Sequence, residues 1–360
     1  MRRLTILASQ AILTFILLEV ALRLYNPLPF RVRGDRIVLP VRQAYTFDNR
    51  SARKLDPVTH HSRNSLGFRG PEPPRDFASR LTILTIGGST TECLFLSDGK
   101  TWTDELARRL GRRWPEAWVN NAGLDGQSTY GHIVLLRDFV LDLRPKIAIF
   151  LIGTNDVGLD RSNTFDSALT PSAGLSARIL GFAFNHSEVL SVAQNLARMR
   201  RAQARGFGHS EIDVAALPEL VIDESSADAT RRRYAALIPG YSDRLRAIAS
   251  LCRSRGIEPV FLTQPALFGP VVDPATRVDL TNKQVNGRGN GRLEWELLEL
   301  YNDATRRVAA DERLFLVDLA RTLPKDSRLF YDFLHFTNEG ATAVGDIVAA
   351  ALEPHLVNRF

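Results

Sequence analysis

Five short apolar runs, at residues 81–86, 118–122, 146–152, 259–263 and 314–319, alternate along this chain with stretches of helical period at 101–113, 128–142, 244–255 and 338–352. Runs of that length, rich in β-branched residues and separated by helices, are the pattern of strands buried on both faces. Such strands form a parallel sheet only when helices cover each side, and right-handed crossovers place those helices in two layers. The expected fold is therefore α/β, a three-layer α/β/α sandwich around a parallel five-stranded sheet. A chain of 360 residues holds one such domain with attachments.

The attachments are legible too. Residues 4–22 read LTILASQAILTFILLEVAL behind Arg2 and Arg3, with Glu19 as the one charge. An apolar run of about 20 residues is what a helix needs to cross a bilayer, and no small-residue cleavage site follows it. A single-pass anchor over residues 1–25 is expected, with the α/β domain extracytoplasmic (periplasmic). Arginines on both sides of the span leave its orientation undecided by charge counting. Residues 26–80 carry Pro27, Pro29, Pro40, Pro57, Pro71, Pro73 and Pro74 and no helical period, as a connector lying along the domain does. The α/β domain then runs over 81–355. Its strand rhythm breaks at about 160–231, an insertion rich in Ala, Ser, Leu and Arg with a helix expected over 188–205; it is either a solvated elaboration or a lid.

Charge excludes less than it suggests. The net charge is +6, but the basic residues are nearly all Arg, only Lys54, Lys100, Lys146, Lys283 and Lys325 being lysine. The one dense Arg cluster, at 198–205, lacks the interleaved aromatics of a stacking platform, so no nucleic-acid partner is expected. Cys93 and Cys252 make no CxxC motif and read as small buried hydrophobes. His60 and His61 lack a third ligand at metal-site spacing. Neither a metal nor an organic cofactor is implied.

In an open α/β sheet, groups at the C-terminal ends of the strands converge on one crevice. The first such loop is Gly87-Gly88-Ser89-Thr90-Thr91, where the glycines allow a tight turn that presents Ser89 and frees its N–H. The second, Asn121-Ala122-Gly123, offers the Gly123 N–H without an obstructing side chain. The third, Gly153-Thr154-Asn155-Asp156, offers the Asn155 amide. After the last strand comes Asp332-Phe333-Leu334-His335. These residue types suit acyl transfer: Ser89 attacks, His335 carries its proton, Asp332 fixes the imidazole tautomer, and Ser89, Gly123 and Asn155 donate to the oxyanion.

With these four blocks in this order, the chain resembles the SGNH hydrolases, also called the GDSL esterase and lipase superfamily, over roughly residues 81–352. The resemblance implies a flavodoxin-like SGNH fold, Ser89, Asp332 and His335 as the triad, and Ser89, Gly123 and Asn155 as the oxyanion hole. Gly88 stands where the family's name expects Asp, which loosens the match at the first block without touching a triad position. The segment Asn64-Ser65-Leu66-Gly67-Phe68-Arg69-Gly70 looks like one found in membrane-anchored bacterial members and in relatives that handle envelope polysaccharide acyl groups. Arg69 either reaches a polar substrate or anchors the connector, and Thr263-Gln264-Pro265 either lines the cleft or ends its strand.

The expected function is hydrolysis of acetyl or short-chain acyl esters through an acyl-enzyme, on a small-molecule or glycan ester of the cell envelope. The alternatives are an O-acyltransferase, a non-catalytic glycan-binding protein, and a lipase or thioesterase. A phosphate or nucleotide site fits poorly, since Gly87-Gly88-Ser89 lacks both the P-loop and the GxGxxG spacing.

Overall fold

The computed structural model describes residues 2–25, 32–33, 36–159, 175–204, 209–285, 287, 289–357 and 359. Strands β1 (Thr82–Gly87), β2 (Trp118–Asn121), β3 (Ile147–Ile152), β4 (Glu258–Thr263) and β5 (Phe315–Val317) form one sheet in the order β5-β4-β3-β1-β2. Every pairing in it is parallel. This is the doubly wound 2-1-3-4-5 order, and its switch point between β1 and β3 opens a crevice at the carboxyl ends of those two strands.

The strands are buried on both faces because their apolar residues alternate between two cores. Along β3, Ile147, Ile149 and Leu151 share a core with Trp102 and Leu106 of the Trp102–Leu110 helix and with Val344, Val348 and Leu352 of the Asn338–Val357 helix. Ala148, Phe150 and Ile152 belong to the opposite core, with Tyr241, Leu245 and Ile248 of the Ile238–Arg253 helix and Tyr301 and Val308 of the Gly291–Asp311 helix. Burying each large side chain contributes about 1.5–3 kcal/mol, so the two cores hold the layers together. Local signals agree: Thr101 and Asp104 form a capping box at the first of these helices. Gly345 lets the Asn338–Val357 helix approach closely, since a Cβ there would lie 2.5 Å from Glu105 Cβ.

Two elements differ from the sequence expectation. The stretch 128–142 is helical, but a wide π turn at Leu136–Val140 interrupts it. The Gly291–Asp311 helix was not anticipated, although Asn290 caps it by accepting from Leu293 N–H at 3.0 Å and Leu293, Leu297, Tyr301 and Val308 give it a buried stripe.

Of the insertion, residues 160–174 and 205–208 lie outside the described residues. The rest contains helices Leu175–His186, Glu188–Ala204 and Glu224–Ala235; the helix expected over 188–205 is the second. The N-terminal helix Arg2–Leu24 includes a segment, Thr5–Leu24, long and apolar enough to cross a membrane, and none of that segment's apolar window is buried in the protein. Glu19 accepts hydrogen bonds from Ser187 Oγ at 2.8 Å and from the N–H groups of Glu188 and Val189 at 3.0 and 3.1 Å. Glu19, which also pairs with Arg23 at 2.8 Å, thus caps the Glu188–Ala204 helix and ties the insertion to the N-terminal helix.

Between that helix and β1, Ala44–Asp48 pairs antiparallel with Val58–Ser62. The following segment, 64–70, packs behind the loop after β1. Arg69 is 3% exposed and donates to the carbonyls of Glu92, Cys93 and Leu96 at 2.7–2.8 Å and to Asp98. Those bonds occupy its guanidinium in anchoring the chain. Arg63 pairs with Glu92 nearby, both side chains fully enclosed.

Candidate active site

The crevice at the β1/β3 switch point receives residues from four loops. After β1, Gly87 and Gly88 turn the chain sharply: a Cβ on Gly87 would lie 2.1 Å from Thr91 Oγ1, and one on Gly88 would lie 2.2 Å from Asn155 Nδ2. A side chain at position 88 would therefore require the Asn155 amide to move aside. Ser89 opens the short Ser89–Glu92 helix, so its N–H has no acceptor within the helix.

Ser89 Oγ lies 2.7 Å from His335 Nε2, and His335 Nδ1 lies 2.6 Å from Asp332 Oδ2. A carboxylate only accepts, so Nδ1 carries the proton and Nε2 is left as acceptor for the serine hydroxyl. The other Asp332 oxygen accepts from the N–H groups of Leu334 and His335 at 2.8 and 2.7 Å. Burial alone would raise the Asp332 carboxyl, but its contacts with His335 and these two N–H groups outweigh that and hold it below the usual carboxylate range.

Asn155 sits in a short turn after β3 that starts at Gly153, whose φ of 132° favours glycine. One Asn155 Nδ2 proton goes to Gln127 O at 2.8 Å, and the second has no partner among the described residues. Asp156 braces the turn from beneath, accepting from Thr129 N–H at 3.1 Å and Thr129 Oγ1 at 2.6 Å and pairing with Arg244 at 3.1 Å. Burial lifts its carboxyl against the pull of that guanidinium. Gly123 is bonded differently from the expectation: its N–H donates to Asn121 Oδ1 at 2.8 Å in the resting arrangement. Its lack of a side chain is also demanded by packing, since a Cβ there would lie 2.3 Å from Glu92 N.

Gln264 is 1% exposed and takes a hydrogen bond from Thr90 Oγ1 at 3.2 Å, beside the turn that carries Ser89. The thiols of Cys93 and Cys252 are both buried and free, and burial pushes each up to about 12. His60 and His61 are neighbours on the strand Val58–Ser62, His60 reaching Thr46 Oγ1 at 3.2 Å and His61 lying against the rings of Tyr45 and Phe47.

Sequence reasoning missed three residues beside the hydrogen-bonded Ser89, His335 and Asp332. The ring of His209, from the insertion, lies 4.2 Å from that of His335; Tyr331 stacks on His335 at 5.6 Å, and Asp125 contacts His209. Nothing in the pattern marks them, because His209 follows no strand and Asp125 belongs to a loop read only for its glycine. Possible ligand atoms of His209, Asp332 and His335 lie within 4.8 Å of one another. Those of Asp332 and His335 face each other across their hydrogen bond instead of converging on an ion.

The profile of the GDSL-like lipase/acylhydrolase family matches residues 85–343. The chain belongs to that family. As a GDSL-like acylhydrolase of SGNH type it is a hydrolase of ester bonds. Among solved structures it is similar to a catalytic mutant of an acetylxylan esterase from Geobacillus stearothermophilus, with 15% identity and a TM-score of 0.42 over 76% of this chain and 92% of that one. It is also similar to a GDSL-like lipase from Bacteroides thetaiotaomicron, with 12% identity and a TM-score of 0.39 over 81% of this chain and 93% of the other. Among curated proteins none matches.

Proposed function

We propose that this acylhydrolase is a membrane-anchored serine esterase that removes acetyl or other short acyl groups from cell-envelope carbohydrate through an acyl-enzyme on Ser89. The reading is carried by the unbroken relay from Ser89 Oγ through His335 to Asp332, at 2.7 and 2.6 Å. In it, Ser89 Oγ bonds to the ester carbon as His335 Nε2 takes its proton and the carbonyl electron pair moves to oxygen. The Ser89 N–H and the open Asn155 proton receive that charge. Gly123 joins them once its N–H leaves Asn121. The oxyanion then collapses, the ester C–O bond breaks, and the departing alcohol takes the proton from His335. Water, deprotonated by the same imidazole, releases the acid.

The residues packed beneath the loop after β1, among them Gln127, Leu151, Ile152, Asn155 and Gln264, enclose no open cavity, so no channel for a long alkyl chain opens there, which favours a short acyl group. The helix Arg2–Leu24 supplies the anchor, and an extracytoplasmic domain puts the site beside envelope glycans. The test is hydrolysis of p-nitrophenyl esters of increasing chain length by the full chain in detergent. Acetate should turn over fastest, and Ser89→Ala and His335→Ala should each remove at least about 10³-fold of the rate. Activity that survives either substitution would overturn the acyl-enzyme, and a preference for long chains would favour a lipase. An alkaline phosphatase fusion at the C-terminus should be active in intact cells; an inactive but expressed fusion would place the domain in the cytoplasm.

A further inference from the structure

The insertion reaches the catalytic histidine. His209 packs its ring against His335 at 4.2 Å and edge-on to Phe95 at 5.2 Å. Its Nδ1 lies 2.9 Å from the Tyr331 hydroxyl and its Nε2 lies 3.3 Å from Asp125 Oδ2. Burial would lower this imidazole, but Asp125 more than offsets that and the net shift is upward. Asp125 stands two residues beyond Gly123, and its own N–H donates to Glu92 Oε2 at 2.6 Å. Glu92 is in turn clamped by the enclosed Arg63. The residue is therefore fixed at both ends, by Glu92 through the backbone and by His209 through the side chain, while its carboxylate stays 46% exposed.

A surface carboxylate needs no such scaffolding for stability, since exposed ion pairs contribute about 0–1 kcal/mol. Its position explains it better. The leaving oxygen must meet His335 Nε2 to collect its proton, so the alcohol half of the ester passes His335, and its substituents meet whatever is packed beside that ring. We infer that Asp125, positioned by His209, selects the alcohol half of the ester: its carboxylate accepts hydrogen bonds from hydroxyls next to the ester on a neutral, polyhydroxylated alcohol. A carboxylate accepts and cannot donate, so it favours hydroxyl-rich alcohols and repels anionic ones. The inference rests on the esterase reading above and adds to it the residues that choose the alcohol.

The experiment compares two acetyl esters on the full chain in detergent: a methyl pyranoside carrying one acetyl beside free hydroxyls, and p-nitrophenyl acetate, which has none. The discriminating quantity is the ratio of their kcat/KM values, which cancels any general damage to the triad. Asp125→Asn and His209→Ala should each lower that ratio about ten- to a hundredfold, chiefly through KM for the pyranoside, as loss of a hydrogen bond to a charged group does. His209→Gln, which keeps a donor toward Asp125, should recover part of it. Asp125→Asn should also narrow the discrimination against a singly acetylated uronoside. A ratio unchanged in both Asp125→Asn and His209→Ala, with both esters slowed in parallel, overturns the inference and leaves the pair as a brace for His335. A wild type inert toward both esters, indistinguishable from Ser89→Ala, would overturn the esterase reading itself.

Discussion

Replacing Asp332 with Asn isolates the one electrostatic job in this site that can be removed without disturbing its shape. Asp332 Oδ1 accepts from the N–H groups of Leu334 and His335 at 2.8 and 2.7 Å, and the Asn oxygen can keep both bonds. The change falls on the other atom, 2.6 Å from His335 Nδ1, where an acceptor becomes an N–H donor. Two donors cannot face each other, so the imidazole must shift its proton to Nε2, which then points an N–H at Ser89 Oγ and has no lone pair to offer. The hydroxyl loses its base, and nothing stabilises the imidazolium of the transition state. Loss of this carboxylate in serine hydrolase triads costs about 10⁴ in kcat, or roughly 5.5 kcal/mol of barrier. The assay is steady-state hydrolysis of p-nitrophenyl acetate, beside a thermal melt. The expected result is that loss in kcat with KM within a few-fold of wild type and a melt confirming a folded protein. A fall of less than tenfold in a folded variant would refute the assignment of Asp332 as the residue that sets the tautomer.

The other predictions concern the oxyanion side and the core. Asn155→Ala should lower kcat about 10²–10³-fold with little change in KM, because the amide acts on charge that develops only in the transition state; steady-state kinetics on the same ester checks it, and an effect confined to KM would contradict it. Gly88→Asp, which introduces the family's usual residue, should reduce kcat at least about tenfold, since its Cβ would sit 2.2 Å from Asn155 Nδ2 and must push the amide away; full activity in that variant would show that the loop yields freely. His132 is 1% exposed and burial holds its imidazole down at about 4. Its unfolded value is higher, so the unfolded chain binds the proton first and stability falls as pH drops from about 6.5 toward 4, by up to about 3 kcal/mol. Urea melts across that window should show the slope, and His132→Phe should flatten it.

How much of this was legible in the sequence depends on the range of the interaction. The Ser89 turn, the Asn155 loop and the Asp332–His335 spacing each lie within a few residues, and each follows its own strand, so pattern and chemistry pointed to them together. The π turn at Leu136–Val140 left no mark, because it keeps the apolar period on both sides. The Gly291–Asp311 helix did carry a cap and a stripe, but it lies between strands where a loop was sufficient for the topology. Arg69 had two possible uses in the sequence, and only the position of the Glu92, Cys93 and Leu96 carbonyls assigns it to the scaffold.

The sequence by itself determined the sheet and its two helical layers, because continuous apolar runs and 3.6-residue periods are local patterns that must be buried, and its four loop motifs carried the resemblance to the family. Only the tertiary structure decided that the Gly123 N–H rests on Asn121, that Asn155 takes the space an Asp at 88 would need, and that His209 and Asp125 meet beside His335. Those contacts join residues far apart in the chain or turn on tenths of an ångström in a loop, and no periodicity encodes either; they exist only once the packed sheet has brought its carboxyl edge together.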